Sequence, residues 1–89
     1  MGTVAYMAPE QFLGGSVTAR ADLYALGCMI FEALTGRLPL VGSAAMIMQA
    51  RLHEPPPRVE RYVPDVPAAL REVCMALMDR EPERRPDIA

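Results

Sequence analysis

With 89 residues, 52% of them apolar and 22% charged, the chain can bury one small core and is not a disordered polyelectrolyte. Its net charge of −2, with no run of like charges beyond a pair, lacks the basic footprint of a nucleic-acid binder, so no nucleic-acid partner is expected. All nine basic residues are Arg; Lys, Asn and Trp are absent, and His53 is the only histidine.

Residues Met1 to Leu13 read as a loop, with Pro9 placed to open a short helical turn through Glu10, Gln11 and Phe12. Gly14, Gly15 and Ser16 break it. A long helix is expected from Thr18 or Ala19 to about Thr35, with Gly36 as its stop and Asp22 in its first turn, where a carboxylate meets the positive end of the helix dipole. Leu23, Tyr24, Ala25, Leu26, Cys28, Met29, Ile30, Phe31, Ala33 and Leu34 leave it no polar face. A helix apolar all round is expected to be a central post, buried on every side. Its apolar stretch, Leu23 to Leu34, is interrupted by Gly27 and Glu32 and falls short of the roughly 20 residues a bilayer needs. Nothing in Met1 to Glu10 resembles a secretory leader, so a cytoplasmic location and no membrane segment are expected.

Ser43 is placed to cap a second helix, about Ala44 to Leu52. His53-Glu54-Pro55-Pro56-Pro57 cannot continue it and reads as a rigid extended connector. A third helix is expected from near Pro67 to about Met78, with Leu70, Val73, Cys74, Leu77 and Met78 as its apolar stripe. The charged turn Asp79 to Arg85 follows, and Pro86 to Ala89 reads as the first turn of a fourth helix. Arg71, Arg80, Arg84 and Arg85 alternate with Glu72, Asp79, Glu81 and Glu83, the pattern of a solvated, mutually compensating face. Cys28 and Cys74 lack the close ligand pairs of a zinc site, so two buried core thiols and no metal site are expected.

Gly2 to Gln11, closing on Ala8-Pro9-Glu10, resembles the end of a protein kinase activation segment. Asp22-Leu23-Tyr24-Ala25-Leu26-Gly27 resembles the start of the central helix of the kinase C-lobe, and Leu34-Thr35-Gly36-Arg37-Leu38-Pro39-Leu40 resembles its exit. Glu81-Pro82-Glu83-Arg84-Arg85-Pro86 is similar to the last family motif, with Glu81 where Asp is usual. The four motifs stand in family order across residues 2 to 86, and the wording is most similar to bacterial serine/threonine kinases of the eukaryotic type.

The resemblance implies an all-α fragment, the helical C-lobe portion of a kinase-like fold whose parent domain is α+β, with residues 1–89 as a partial kinase domain. It implies structural-motif roles for Pro9, Glu10, Asp22, Gly27 and Arg85, with Glu10 paired to Arg85. A guanidinium fork suits such a bidentate carboxylate contact. It implies that Thr3, Val4 and Tyr6 shape the surface beside the acceptor Ser or Thr of a protein substrate. In the family, the threonine matching Thr3 bridges the catalytic Asp and Lys, and the Asp matching Asp22 holds the catalytic loop from below. Val4 stands where Pro is frequent.

Phosphoryl transfer in this family needs a Gly-rich loop, a strand Lys, a catalytic Asp, a magnesium-binding Asn and an Asp-Phe-Gly. The chain has no Lys, no Asn and no Asp-Phe-Gly. No catalytic, cofactor-binding or metal-binding residue is therefore expected in it, and ATP and magnesium are expected only for the intact parent. Two readings of function stand. In the first, the chain is a fragment of a serine/threonine protein kinase, a phosphotransferase, whose upstream, N-terminal part was lost, split off, or omitted because Met1 was taken as the start of a longer frame. In the second, it is a non-catalytic interaction module derived from a kinase C-lobe.

Overall fold

Thr18 sets the start of the longest element. Its extended backbone and its hydroxyl, which accepts a hydrogen bond from the Ala21 amide at 3.3 Å, satisfy a donor that the first helical turn leaves free. The computed structural model describes residues 4–14 and 18–86. Four α-helices order these residues: α1 (Pro9–Phe12), α2 (Ala19–Thr35), α3 (Ala44–His53) and α4 (Ala68–Leu77). Single 3₁₀ turns lie at Val4–Tyr6, Val59–Arg61 and Pro82–Arg84, and no β-strand occurs among the described residues.

The caps follow from residue type. Gly36 ends α2 in the left-handed region at φ 76°, which costs glycine nothing, and its amide closes on the Glu32 carbonyl at 2.8 Å. Ser43 caps α3 by accepting from the Met46 amide, and α3 runs one residue beyond the sequence expectation, to His53. The run Pro55–Pro57 has no regular structure and leads into the Val59–Arg61 turn, which no local pattern announces. Val59 is fully buried there and fastens the connector to the core.

The core gathers Ala8, Ala21, Tyr24, Cys28, Phe31, Val59, Val66, Cys74 and Met78. Ala21, Tyr24, Cys28 and Phe31 recur on one face of α2, and α4 lies along that face through Cys74, Leu77 and Met78. Tyr62 meets Phe31 edge-on, with ring centroids 5.9 Å apart, and carries the Arg37 guanidinium 4.5 Å from its own centroid.

Two expectations are corrected. The central helix is not buried on every side: Asp22, Leu26, Met29 and Ala33 are exposed and form one stripe down α2, with Met29 49% exposed. In α4, Leu70 and Val73 are exposed, so its buried stripe is narrower than the apolar one. Burial requires an element on each side, and no described element covers these faces.

Cys28 and Cys74 are both fully buried and free. The Cys74 thiol donates to the Gly27 carbonyl at 3.5 Å. Burial pushes both thiols up to about 11, although the Arg51 charge opposes the shift at Cys28. Neither is a thiolate at neutral pH, so native protein at pH 8 should not react with iodoacetamide at either residue, whereas both should be alkylated in denaturant. Intact-mass analysis distinguishes the two states, and rapid labelling of the native protein at either position would contradict this packing.

Candidate functional site: a braced loop ahead of Ala8-Pro9-Glu10

The segment Val4–Met7 is held by side chains more than by its own backbone. A single 3₁₀ turn supplies one hydrogen bond, from the Met7 amide to the Val4 carbonyl at 3.2 Å. From α2, Glu32 accepts the Tyr6 hydroxyl at 2.6 Å. That bond, and with it burial and the carboxylate's charge, raises the Tyr6 phenol, which stays a neutral donor. From α3, Arg51 donates through Nη1 to the carbonyls of Val4 (3.0 Å) and Met7 (2.8 Å), and through Nη2 to that of Ala5 (2.6 Å).

Immediately after this loop, Pro9 starts α1, and the Gln11 side chain turns back to accept from the Ala8 amide at 2.8 Å. Glu10 then meets Arg85 by two parallel bonds, Nη1 to Oε2 at 2.8 Å and Nη2 to Oε1 at 2.9 Å, across 75 residues of sequence. The Arg85 side chain is fully enclosed, while that of Glu10 is 23% exposed. Arg85 is therefore a correction to the solvated basic face read from the tail's charge alternation. It is buried because all five of its N–H groups have acceptors. Besides Glu10, these are the carbonyls of Asp79 (2.8 Å), Arg20 (2.8 Å) and Arg80 (3.5 Å).

Burial works to raise the Glu10 carboxyl, but the hydrogen bonds and charge of Arg85, with a backbone donor, hold it below its ordinary value. The Arg20 side chain donates in turn to the Arg85 carbonyl, so the two arginines exchange bonds. The Tyr24 ring joins both braces: the Arg85 guanidinium lies 4.9 Å from its centroid and that of Arg51 5.2 Å.

Of the residues singled out from sequence, the structure brings Pro9, Glu10 and Arg85 together and places Val4 and Tyr6 on the adjoining loop. Asp22 is exposed at the start of α2, away from these contacts. Gly27 is buried where α2 meets α4: a Cβ there would lie 2.7 Å from Met78 Cγ and 2.9 Å from Leu77 Cβ. Thr3 lies outside the described residues, as do Gly15 and Ser16 and all but Pro86 of the fourth helix's expected first turn. Sequence reasoning missed Arg51 and Glu32. The signal for Arg51 is its position four residues after Ile47, since a face that buries Ile47 takes Arg51 in with it.

The sequence profile of the protein kinase domain family matches residues 1–89. The chain belongs to the protein kinase domain family. Among curated proteins, this kinase segment is 48% identical over 87 residues to the serine/threonine-protein kinase Pkn1 of Myxococcus xanthus, covering 96% of the chain and 12% of that protein. It is 42% identical over 88 residues to the serine/threonine-protein kinase PknJ of Mycobacterium tuberculosis, covering 96% of the chain and 15% of the relative. With the serine/threonine-protein kinase PrkC of Bacillus subtilis it shares 38% identity over 90 residues, covering 100% of the chain and 14% of that relative. The chain thus spans 12–15% of the length of these kinases. No described helix is long and apolar enough to cross a membrane.

Proposed function

We propose that these residues are the substrate-side portion of the C-lobe of a protein that phosphorylates serine or threonine in other proteins. The observation that carries this reading is the Glu10–Arg85 pair: two family motifs 75 residues apart close on each other directly behind the Val4–Met7 loop. In this reading Val4 and Tyr6, with Thr3 before them, shape the surface beside the acceptor hydroxyl. Pro9, Glu10 and Arg85 tie that surface to the lobe, and Asp22 and Gly27 serve the central helix.

ATP and magnesium are the cofactors of the intact protein, but the residues present here do not fit a nucleotide–metal site. No three His, Cys, Asp or Glu side chains converge among the described residues, and the chain has no Lys to meet the phosphates. This segment contributes positioning and scaffold, not a reacting group. The exposed stripe Asp22, Leu26, Met29 and Ala33 supports a further part of the proposal, that the remainder of the kinase domain covers this face of α2.

The test is to incubate the full-length protein with magnesium and ATP and a mixture of Ser- and Thr-containing peptides, and to map phosphate by mass spectrometry. Phosphoserine or phosphothreonine on the peptides is expected. A folded, ATP-binding protein that modifies neither would overturn the kinase reading. The second reading, an interaction module that covers the α2 stripe with a different protein, would then stand.

A further inference from the structure

Arginine is almost never fully buried unless its charge is matched, yet Arg51 is 2% exposed and has no carboxylate within salt-bridge distance among the described residues. Its compensation comes from backbone dipoles and a ring face. The carbonyls of Val4, Ala5 and Met7 accept from its two terminal nitrogens at 2.6–3.0 Å, the Cys28 thiol lies 3.8 Å from Nη2, and the Tyr24 ring centroid 5.2 Å from the guanidinium carbon. The Nε is buried with no acceptor among the described residues, so only the terminal fork is engaged.

This arrangement has a directional consequence. Backbone carbonyls of a short loop face solvent unless something turns them inward, and one 3₁₀ turn is too short to hold itself. With three carbonyls drawn onto Arg51 from inside, and the Tyr6 ring tied to Glu32, the loop's conformation is dictated from α3 and α2.

We propose that Arg51 is a positioning residue for the acceptor peptide: it fixes the Val4–Met7 backbone and so sets the surface on which the peptide is received. This rests on the kinase reading given above. It requires the planar fork, because the acceptors are divided between two nitrogens held at a fixed separation. A lysine ammonium is a single point and cannot span them.

The test uses the full-length protein with Arg51→Lys, which keeps the charge and most of the stem, and Arg51→Met, which removes the charge. In Arg51→Lys the KM for peptide should rise about tenfold, with the KM for ATP unchanged. Amide exchange at Met7 and Ala8, whose N–H groups bond the Val4 carbonyl and the Gln11 side chain, should quicken by about tenfold or more, with α2 amides unaltered as the internal reference. Arg51→Met should exceed Arg51→Lys in both readouts. If Arg51→Met fails to fold, the Lys variant alone decides.

Unchanged Met7 and Ala8 exchange together with an unchanged peptide KM in Arg51→Lys would overturn the proposal. So would exchange that quickens equally across α2, or a KM for ATP that rises in step with that for peptide. Quickened loop exchange with an unchanged peptide KM would reject the substrate role. Wild-type protein that transfers no phosphate would reject the kinase reading and the peptide role with it, while the exchange measurement reports independently on the clamp.

Discussion

Replacing Glu10 with alanine is expected to destabilise the domain by about 3 kcal/mol, the lower end of the range for breaking a buried ion pair. The reason is the charge left behind. Arg85 keeps its three carbonyl acceptors but loses the one anion that the described residues set against its enclosed guanidinium, and two N–H groups are left without a protein acceptor. The value sits at the lower end because the Glu10 side chain is 23% exposed, so water can enter where the carboxylate was. Glu10→Gln should cost less, since the amide oxygen retains one acceptor.

The pH dependence has a definite sign. The Glu10 carboxyl is depressed in the folded protein below its ordinary value of 4.5, so its contribution is fully present above about pH 4.5 and is lost as pH falls through the folded value. The stability difference between wild type and Glu10→Gln, measured by denaturant titration, should therefore be constant near neutrality and shrink below pH 4.5. A Glu10→Ala protein as stable as wild type would show that the pair carries no net stabilisation.

Gly27→Ala is the second substitution with a large expected effect, and two terms of opposite sign compete in it. In a helix interior, alanine gains about 1 kcal/mol over glycine. Against this, the new Cβ would meet Met78 Cγ at 2.7 Å, Leu77 Cβ at 2.9 Å and the Met78 amide nitrogen at 3.2 Å. Met78 Cγ could swing aside cheaply. Leu77 Cβ and the Met78 nitrogen are fixed to the α4 backbone, so α2 and α4 must separate along the face that buries Tyr24, Cys28 and Phe31. Overpacking of that kind costs about 1–3 kcal/mol; because two of the three contacts are fixed to backbone, the cost is placed in the upper part of that range, and the net expectation is a loss of up to about 2 kcal/mol. The sign decides: an alanine variant more stable than wild type would mean that the helices do not approach this closely.

The helices were legible one at a time because what starts and stops them is local. Thr18 and Ser43 act on amides of the turn that follows, Gly36 on a carbonyl of the turn before it, Pro9 pre-sets φ for the first turn of α1 and Pro67 stands just ahead of α4, so α1 to α4 begin and end within a residue or so of where composition places them. The family motifs were legible for the same reason, being short and contiguous. Which face of α2 lies inward could not be read, since a helix with apolar residues at every phase gives periodicity nothing to act on. The close approach at Gly27 and the run of α4 beside it decide that face, and they leave Leu26 and Met29 outside.

The two buried arginines mark the same limit in charge. Along the chain Arg85 looks like its neighbours Arg80 and Arg84, and Arg51 like any polar residue near a helix end. Only the folded arrangement sets Glu10 and three carbonyls around the one, and the Val4–Met7 carbonyls around the other. An arginine is inside or outside according to whether acceptors from distant segments meet its N–H groups, and that is a property of tertiary distance. Composition and local pattern therefore settled the family, the helices and the absence of Lys and Asn. The packing alone made a braced loop of residues that had no visible relation in sequence.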